Sequence, residues 1–380
     1  MPGAITYLDT PVVPVAAFTG PDQFPLDCEQ PDGTPRIYSV DVQTNGIGGG
    51  PYIPATEAVS FCSTDPTQVC TQNNQCPPPN NQRRCEPALS IAADQTIAIT
   101  SMGDVSVPNP VYCDPAAGAP GSCDDADTTN PDILRDYGFG AGATVTLGDL
   151  GTLSCTGDDP ISCTIPAGTR VGPVGSIGGR QLTVTRSNGL STVTGVTVQV
   201  GLREGATASV IGPVTPTALP PLDQTIQTAI DAAGANDLIM VRPSTYNEMV
   251  VMWKPIQLHG FGEGSTTLNA VKAQADKLER WRGLVDGLIA GGDVDLLPGQ
   301  EVGPGAPEPV TLWNEEGAGV LVLAKASGDQ AFDYQMGNGN NASFPNRGAR
   351  IDGFTIVRAD TGGGIIANGY AKYLDISNNR

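Results

Sequence analysis

The sequence feature that most constrains the fold is residues 225–270, where one short helix is followed by four short strands. Apolar residues share one helical face, and a glycine that can end a helix follows them: Ile226, Ala229, Ile230, Ala233 and Gly234. The strands are apolar or β-branched runs separated by Pro, Gly, Ser and Asn: 238–241, 248–253, 255–258 and 266–268. Helical spacing does not return between them, so the pattern predicts a chain that coils through short strands with tight corners.

The order of residues in this stretch also carries a family resemblance. The run IQ-AIDAA, D-LI-V-PSTYNE and K-PI-L-GFG-G-T-LNA resembles the beginning of a right-handed parallel β-helix of the pectate-lyase-like superfamily. The resemblance implies that the helix caps the first coil and that residues 222–380 form the stack, which is incomplete at its C-terminus. The C-terminal segment, residues 349–379, shows the same pattern of short apolar strands and ends in an asparagine turn: Ile351, Phe354, Ile356, Ile365, Ile366, Leu374, Ile376, Asn378 and Asn379.

One insertion, residues 271–309, interrupts the predicted stack. Its first part has apolar residues near helical spacing: Ala275, Leu278, Trp281, Leu284, Val285 and Leu288. This pattern predicts an amphipathic helix over 271–290, followed by a Gly/Pro-rich loop.

A second resemblance lies upstream of the stack. The Gly-Phe-Gly turn at 138–140, Ile-Pro-Ala-Gly at 165–168 and the strand before Asn188-Gly189 resemble the IPT/TIG branch of immunoglobulin-like domains. The resemblance implies a β-sandwich over 35–201 whose strands bury one face and wet the other. Domains of that branch serve as spacers and interaction modules.

The remaining segments complete an all-β prediction. Residues 1–34 are expected to be an extended arm, and the Pro/Thr/Ala-rich residues 202–221 a semi-extended linker. We therefore expect an immunoglobulin-like β-sandwich followed by the start of a right-handed parallel β-helix, with one N-terminal capping helix and one inserted helix.

Composition and charge bear on two properties, nucleic-acid binding and membrane-spanning helices. The formal net charge of −20 disfavours nucleic-acid binding, which needs basic surface. No run of the sequence approaches 18 apolar residues, so no membrane-spanning helix is predicted.

Cysteines are confined to the first 163 of the 380 residues and indicate disulfides in an oxidising compartment. The polar loop 62–85 holds Cys62, Cys70, Cys76 and Cys85, for which three pairings are possible. Two local bridges are predicted, Cys113 with Cys123 and Cys155 with Cys163. With Cys28 the total is nine, so one cysteine is left over. No CxxC pair occurs, which disfavours zinc ribbons.

An acidic loop offers a possible calcium site at Asp124, Asp125 and Asp127. Carboxylate oxygens suit Ca²⁺, but the spacing lacks the glycine turn and terminal glutamate of an EF-hand. The alternative is a solvated loop.

Candidate catalytic groups in the predicted stack are four carboxylates with two nearby arginines: Glu248, Asp352, Asp360, Asp375, Arg350 and Arg358. Each has a structural alternative. Glu248 would cap a strand end, Asp352 and Asp360 would belong to turns, and Asp375 would point outward from a strand. His259 is expected to be a surface or hydrogen-bonded structural residue. We assign no catalytic residue and no cofactor.

Trp253, Trp281 and Trp313 would form a sugar platform if co-facial, but core packing is the favoured alternative.

These expectations lead to a non-catalytic extracellular structural or adhesive protein, a surface, matrix or filament subunit that self-assembles by strand pairing. The chain is expected to be a fragment of a large secreted bacterial surface protein. Two alternatives stay open. One is a polysaccharide lyase or glycoside hydrolase whose catalytic coils lie beyond Arg380, and the other is a carbohydrate-binding module.

Overall fold

The computed structural model describes residues 30–380 apart from short internal gaps: 56, 63–64, 78–83, 110–111, 113–128, 174–177, 203–204, 214–224, 272–274, 302–316, 328–331, 333–348, 360–362 and 372–373. Strands dominate the described chain and two α-helices occur in it, which confirms the all-β class.

Fourteen strands, here named the antiparallel region, lie between residues 37 and 200: β1 (Ile37–Val42), β2 (Tyr52–Ile53), β3 (Glu57–Cys62), β4 (Asp65–Val69), β5 (Cys85–Ser90), β6 (Gln95–Ser101), β7 (Asp104–Pro108), β8 (Asp132–Asp136), β9 (Thr144–Leu147), β10 (Cys155–Thr156), β11 (Ile161–Ile165), β12 (Arg170–Pro173), β13 (Gly178–Thr185) and β14 (Val196–Val200). Two of its sheets, β1-β6-β11-β10 and β2-β14-β13-β9, contribute to one apolar core. A third sheet has the order β12-β5-β3-β4, and β7 pairs with β8. The described pairings of this region are antiparallel except that of β2 with β14.

A bulge on β1 adapts the sequence to this core. The register of β1 against β6 shifts between Ile37 and Ser39. Strict alternation would turn Ile37 away from the face that Val40 and Val42 occupy, but all three are buried. The bulge thus lets three apolar side chains enter one core.

The second group, here named the parallel region, contains eleven strands and both α-helices: β15 (Ala208–Ile211), α1 (Thr225–Ala232), β16 (Leu238–Val241), β17 (Ser244–Tyr246), β18 (Val250–Met252), β19 (Gln257–Gly260), β20 (Thr266–Asn269), α2 (Ala275–Gly291), β21 (Val320–Val322), β22 (Ala349–Asp352), β23 (Thr355–Val357), β24 (Ile365–Ala367) and β25 (Leu374–Ser377). They form three sheets, β15-β16-β19-β22-β25, β17-β20-β23 and β18-β21-β24. Every described pairing among them is parallel. The chain therefore visits the three sheets in the same order on successive circuits.

The inward side chains of these circuits form one apolar core. Ile239, Leu258 and Ile351 occupy matching positions on successive strands of the five-stranded sheet and are at most 1% exposed. Ile226 and Ile230 of α1 join the same core. Helix α1 thereby covers apolar residues at the start of the parallel region, as its amphipathic pattern predicts.

Helix α2 packs on the outside of the sheet β18-β21-β24. Its Trp281, Val285 and Leu288 contact Val251 and Leu321, whose side chains point away from the inner core. The helix begins at Ala275 and ends at Gly291, within the predicted insertion.

The predicted linker is wrong over four residues. Ala208–Ile211 form β15, which pairs with β16 along its whole length. Ile211 packs on the inner core, while Val210 packs on the opposite face beside Tyr52 and Phe261. The Pro/Thr/Ala composition of the segment obscures this short run, in which Ala208, Val210 and Ile211 are half-buried and Ser209 is exposed.

Several predictions fall outside the described residues: the arm up to residue 29 with Cys28, the Cys113–Cys123 bridge, Asp124, Asp125, Asp127, Trp313 and Asp360.

The parallel core predicts a contrast between two isoleucines in register. Ile351→Ala should lower the free energy of unfolding by about 3 kcal/mol, because Ile351 is fully buried. Ile376, its partner on β25, is 50% exposed, and Ile376→Ala should cost less than about 1 kcal/mol. Equilibrium denaturation of both variants measures the difference. Equal losses would contradict the packing described here.

Candidate functional site

Buried polar residues concentrate where the antiparallel and parallel regions meet, here named the docking interface. The antiparallel region contributes the outward face of β13 and β14, part of β1 and a glycine-rich loop. The parallel region contributes the outward face of its five-stranded sheet and the turn after β19. The residues that define the interface are Arg36, Gly50, Gly179, Gln181, Thr197 and Gln199 on one side and Met240, His259, Phe261, Glu263, Arg350, Asp352 and Asn378 on the other.

Strand β14 is buried on both faces, which corrects the expectation of one wet face. Val196, Val198 and Val200 enter the core of the antiparallel region. Thr197 and Gln199 point the other way and are 4% and 1% exposed. The period-two pattern identifies the strand, but it does not distinguish a polar face in water from a polar face covered by another sheet.

The turn after β19 lies directly on β1. The backbone N–H of Val40 donates to the carbonyl of Phe261 at 2.8 Å. A Cβ at Gly262 would lie 2.7 Å from the Tyr38 carbonyl oxygen, and one at Gly264 would lie 2.9 Å from that of Ile37. The sequence explains these glycines as corners of a coil, and the structure adds that they permit close backbone contact.

Two further glycines permit close contact elsewhere in the interface. A Cβ at Gly50 would lie 2.7 Å from the Met240 sulfur and 2.9 Å from the Phe261 ring. A Cβ at Gly179 would collide with the Arg350 guanidinium and with the methyl group of Thr197. The two regions are therefore too close at these points for any larger residue.

A buried ion pair crosses the interface beside the turn. Arg36 Nη2 donates to both carboxylate oxygens of Glu263, at 2.9 and 3.2 Å, and each side chain is 4% exposed. The guanidinium also lies 5.0 Å from the ring centroid of Tyr137. Removing one partner of such a pair costs about 3–5 kcal/mol, because the other charge stays buried without compensation. Any other placement of the two regions would separate these two buried charges, so the pair favours the observed placement.

Asp352 links the two regions through four donors. Its carboxylate accepts bonds from Thr197 Oγ1 at 2.7 Å and from the Thr197 backbone N–H at 3.3 Å. From its own region it accepts Ser377 Oγ at 2.6 Å and Asn378 Nδ2 at 2.8 Å. Burial raises the pKa of Asp352, and the hydrogen bonds from Ser377 and Thr197 oppose that rise. The carboxylate is a shared acceptor for β14 and the last described circuit.

His259 lies beside Asp352, one strand away in the same sheet. Its side chain is fully buried, and neither ring nitrogen has a hydrogen-bond partner within the described structure. Burial, reinforced by the charge of Arg350, lowers the pKa of His259 well below its usual value. The imidazole is therefore neutral, and the expectation of a surface or hydrogen-bonded histidine is wrong. Burial against a second region overrides the local corner pattern.

The neighbours Ser377, Asp352 and His259 do not form a nucleophile relay. In such a relay the histidine stands between the hydroxyl and the carboxylate and accepts the hydroxyl proton. Here Ser377 donates directly to Asp352, and His259 bonds to neither. Asp352 and His259 are also fully buried, so a substrate would have no access to them. The arrangement can hold two regions together but cannot activate the hydroxyl in this form.

The other carboxylate candidates have separate structural roles. Glu248 accepts the backbone N–H groups of Ile226 and Gln227, each at 3.0 Å, so it caps α1 and not a strand end as predicted. The prediction missed this role because Glu248 is distant from the helix in sequence. Asp375 pairs with Arg350 at 2.9 Å and is half exposed, as the outward prediction requires.

Arg358 is exposed and has a positive φ of 57°. Within the described part of the chain, no hydrogen bond found joins Arg358 to Asp352 or its partners.

The tryptophans in the described part have packing roles. Trp281, on α2, is 3% exposed and faces the sheet β18-β21-β24, so its ring is not presented to a ligand. Trp253 stacks with the Lys254 ammonium at 4.2 Å and donates to Asp231 at 2.9 Å. These contacts favour the packing alternative over a sugar platform built on Trp281.

Three disulfides occur in the described chain. Cys155 bonds to Cys163, as predicted, and the four-cysteine loop pairs Cys62 with Cys76 and Cys70 with Cys85. Cys62, Cys70 and Cys76 are also the cluster of metal-ligating residue types found in the described part of the chain.

Neither of the two described helices is long and apolar enough to cross a membrane.

Comparisons of the chain with protein-family models, curated proteins and solved structures gave no match.

Sequence reasoning missed the partners of Asp352 and the burial of His259. Thr197 and Asn378 are 181 residues apart, yet they bond at 2.9 Å. No local pattern encodes such a contact. The nearest available indication was a lone histidine in an apolar strand, flanked by Leu258 and Gly260.

The buried histidine predicts a specific pH dependence. Because the folded-state pKa of His259 lies below its unfolded value, its contribution to stability is full above pH ~6.5 and declines as pH falls. Between pH 7.5 and 5.5 this one group should lower the free energy of unfolding by about 1 kcal/mol. His259→Gln should abolish that part of the loss.

Urea denaturation of both proteins across this pH range measures the effect. Asp352, whose pKa is raised, acts in the opposite direction, since the folded state takes up its proton first as pH falls. The difference between wild type and variant isolates His259. Identical pH profiles would show that the imidazole is not buried.

Proposed function

We propose that this chain is a non-catalytic extracellular structural protein in which an immunoglobulin-like module and a parallel β-helix form one stiff body. The observation that carries the proposal is the docking interface. Its charged and polar side chains bond to each other across the two regions, and a substrate cannot reach Asp352, His259 or Glu263. Asp352 and Glu263 bond to other protein groups across this interface.

The strand order supports a parallel β-helix as the second module. Its three sheets are visited in a fixed order, and each strand pairs in parallel with the strand one circuit earlier. Inward aliphatic residues stack between circuits, as Ile239, Leu258 and Ile351 do. A column of this kind resists bending because every circuit is hydrogen-bonded to the next.

The first module fits an immunoglobulin-like domain of the IPT/TIG type. Two sheets contribute to one core, and the resemblance over residues 137–200 maps onto β9, β11, β13 and β14. The three disulfides are compatible with an extracellular location, because such bonds persist in oxidising compartments.

The end surface of the parallel region supports self-association. We define it by Ile356, Ile365, Leu374 and Ile376. Ile376 is 50% exposed, whereas Ile351 at the matching position one circuit earlier is 0% exposed. Among the described strands, β24 and β25 each pair on one side alone, and a free backbone edge can pair with a further strand. In this chain, a strand from a second copy would cover both the apolar side chains and these edges. A coil that follows Arg380 in a longer chain would occupy the same place.

Self-association is tested by light scattering over a concentration series. Wild type should form dimers or polymers, and Ile376→Lys should shift it towards monomer by placing a charge on the end surface. Leu134→Lys, which changes an exposed apolar residue on β8, is the matched control and should leave assembly unchanged. Monomeric wild type at all concentrations, or equal effects of the two variants, would contradict assembly through this surface.

Small-angle X-ray scattering of variants at two neighbouring glycines tests whether the two regions form one stiff body. Gly179→Leu should open the docking interface and raise the radius of gyration, because the new side chain collides with Arg350 and Thr197. Gly178→Leu should behave as wild type, since a Cβ there meets no atom within 4 Å. Circular dichroism checks that both variants are folded. Wild-type scattering typical of two independently moving bodies would overturn the proposal.

Incubation with acidic and neutral polysaccharides separates the proposal from the enzymatic alternative. The structural proposal expects no new reducing ends and no unsaturated products. Turnover would instead assign a lyase or glycoside hydrolase. Glycan binding that is lost in Trp253→Ala would assign a carbohydrate-binding module.

A further inference from the structure

The four-cysteine lobe is the segment formed by β3, β4, β5 and the connection between them. We propose that Cys62, Cys70, Cys76 and Cys85 bind one zinc ion when their two disulfides are reduced. The disulfide form and the zinc form would then be two states of one sulfur cluster.

The sulfur atoms already converge. Those of Cys62, Cys70 and Cys76 lie within 4.8 Å of one another, and the Cys85 sulfur is bonded to that of Cys70. A tetrahedral site with zinc–sulfur bonds of about 2.3 Å places its sulfurs about 3.8 Å apart. Small side-chain rotations would therefore convert the two bonded pairs into four equivalent ligands.

The backbone holds the four cysteines independently of the sulfur bonds. Strands β3 and β5 place Cys62 directly opposite Cys85. The Cys70 N–H donates to the Ser60 carbonyl at 2.9 Å, and the Cys85 N–H donates to the Asn73 side chain at 2.7 Å. These bonds do not involve the sulfur atoms, so reduction of the disulfides does not itself break them.

Among the described side chains of the lobe, the apolar cluster consists of the four cysteines, and residues 71–75 between them are exposed. Once the disulfides are lost, a metal ion can tie the loop again, because thiolates are ligands that Zn²⁺ favours. The absence of a CxxC pair disfavours zinc from spacing alone, but the fold brings distant cysteines together.

Reduction and zinc binding conserve electrons and protons. Two equivalents of a dithiol each transfer two electrons and two protons to one disulfide and become disulfides themselves, which leaves four thiols on the lobe. One Zn²⁺ then displaces four protons and is held by four thiolates, with a net charge of −2. The zinc form suits a reducing compartment, and the disulfide form suits an oxidising one.

The test uses the full chain reduced with a phosphine, which avoids a dithiol that competes for zinc. After addition of Zn²⁺ and gel filtration, atomic emission should find about one zinc per chain. Cys70→Ser should lose this zinc. The double variant Cys155→Ser/Cys163→Ser, which removes an isolated disulfide, should retain it. Co²⁺ in place of zinc should give thiolate-to-cobalt charge-transfer absorption with the same dependence on the variants.

A second variant distinguishes the loss of a zinc ligand from a failure of the lobe to fold. Cys85→His cannot form the Cys70 disulfide, yet it keeps a fourth zinc ligand, so it should retain zinc. Reduced wild type that holds no more zinc than Cys70→Ser would overturn the proposal. Zinc loss in the Cys155/Cys163 variant would also overturn it, because the ion would then lie elsewhere.

Discussion

The ion pair between Arg36 and Glu263 is the interaction on which the rest of the structure depends. Both charges are buried, so each needs the other, and the pair can form in one relative placement of the two regions. That placement brings the turn after β19 onto β1, where the Val40 N–H bonds to Phe261 and where glycine is required at Gly262 and Gly264. It also sets β14 over the outward face of the five-stranded sheet. Thr197 then reaches Asp352, and His259 is sealed from water.

Stability and orientation come from different parts of the molecule. Two separate apolar cores, one in each region, supply the burial that favours folding. The docking interface between them combines buried charged and polar groups with an apolar cluster of Tyr52, Leu238, Met240 and Phe261. Its charged groups must lose their hydration, which reduces their net contribution to stability, so they contribute mainly orientation. Asp352 with its four donors and the glycines that allow backbone contact define one way for the two regions to meet, which is the property that a stiff scaffold requires.

The sequence predicts the elements of this fold better than their arrangement. Residues 238–241 form the predicted strand, and the helices near residues 226 and 281 are found, because local periodicity specifies them. The four residues of β15 were missed because composition was averaged over a longer segment. The interface could not be predicted, since Arg36 and Glu263 are 227 residues apart and each looks like an ordinary surface charge. Asp352 was noted as a carboxylate in a turn, but its partners come from a different region of the chain.

Native-state hydrogen exchange tests most directly whether the docking interface makes the two regions one body. The amide of Leu147 in the antiparallel region donates to the Gly151 carbonyl, and the amide of Val320 in the parallel region donates to the Gly364 carbonyl, both at 2.9 Å. Glu263→Gln, which leaves Arg36 buried without a countercharge, should lower the protection of both amides together by about 3 kcal/mol. A loss of protection confined to one region, with the other unchanged, would contradict the account.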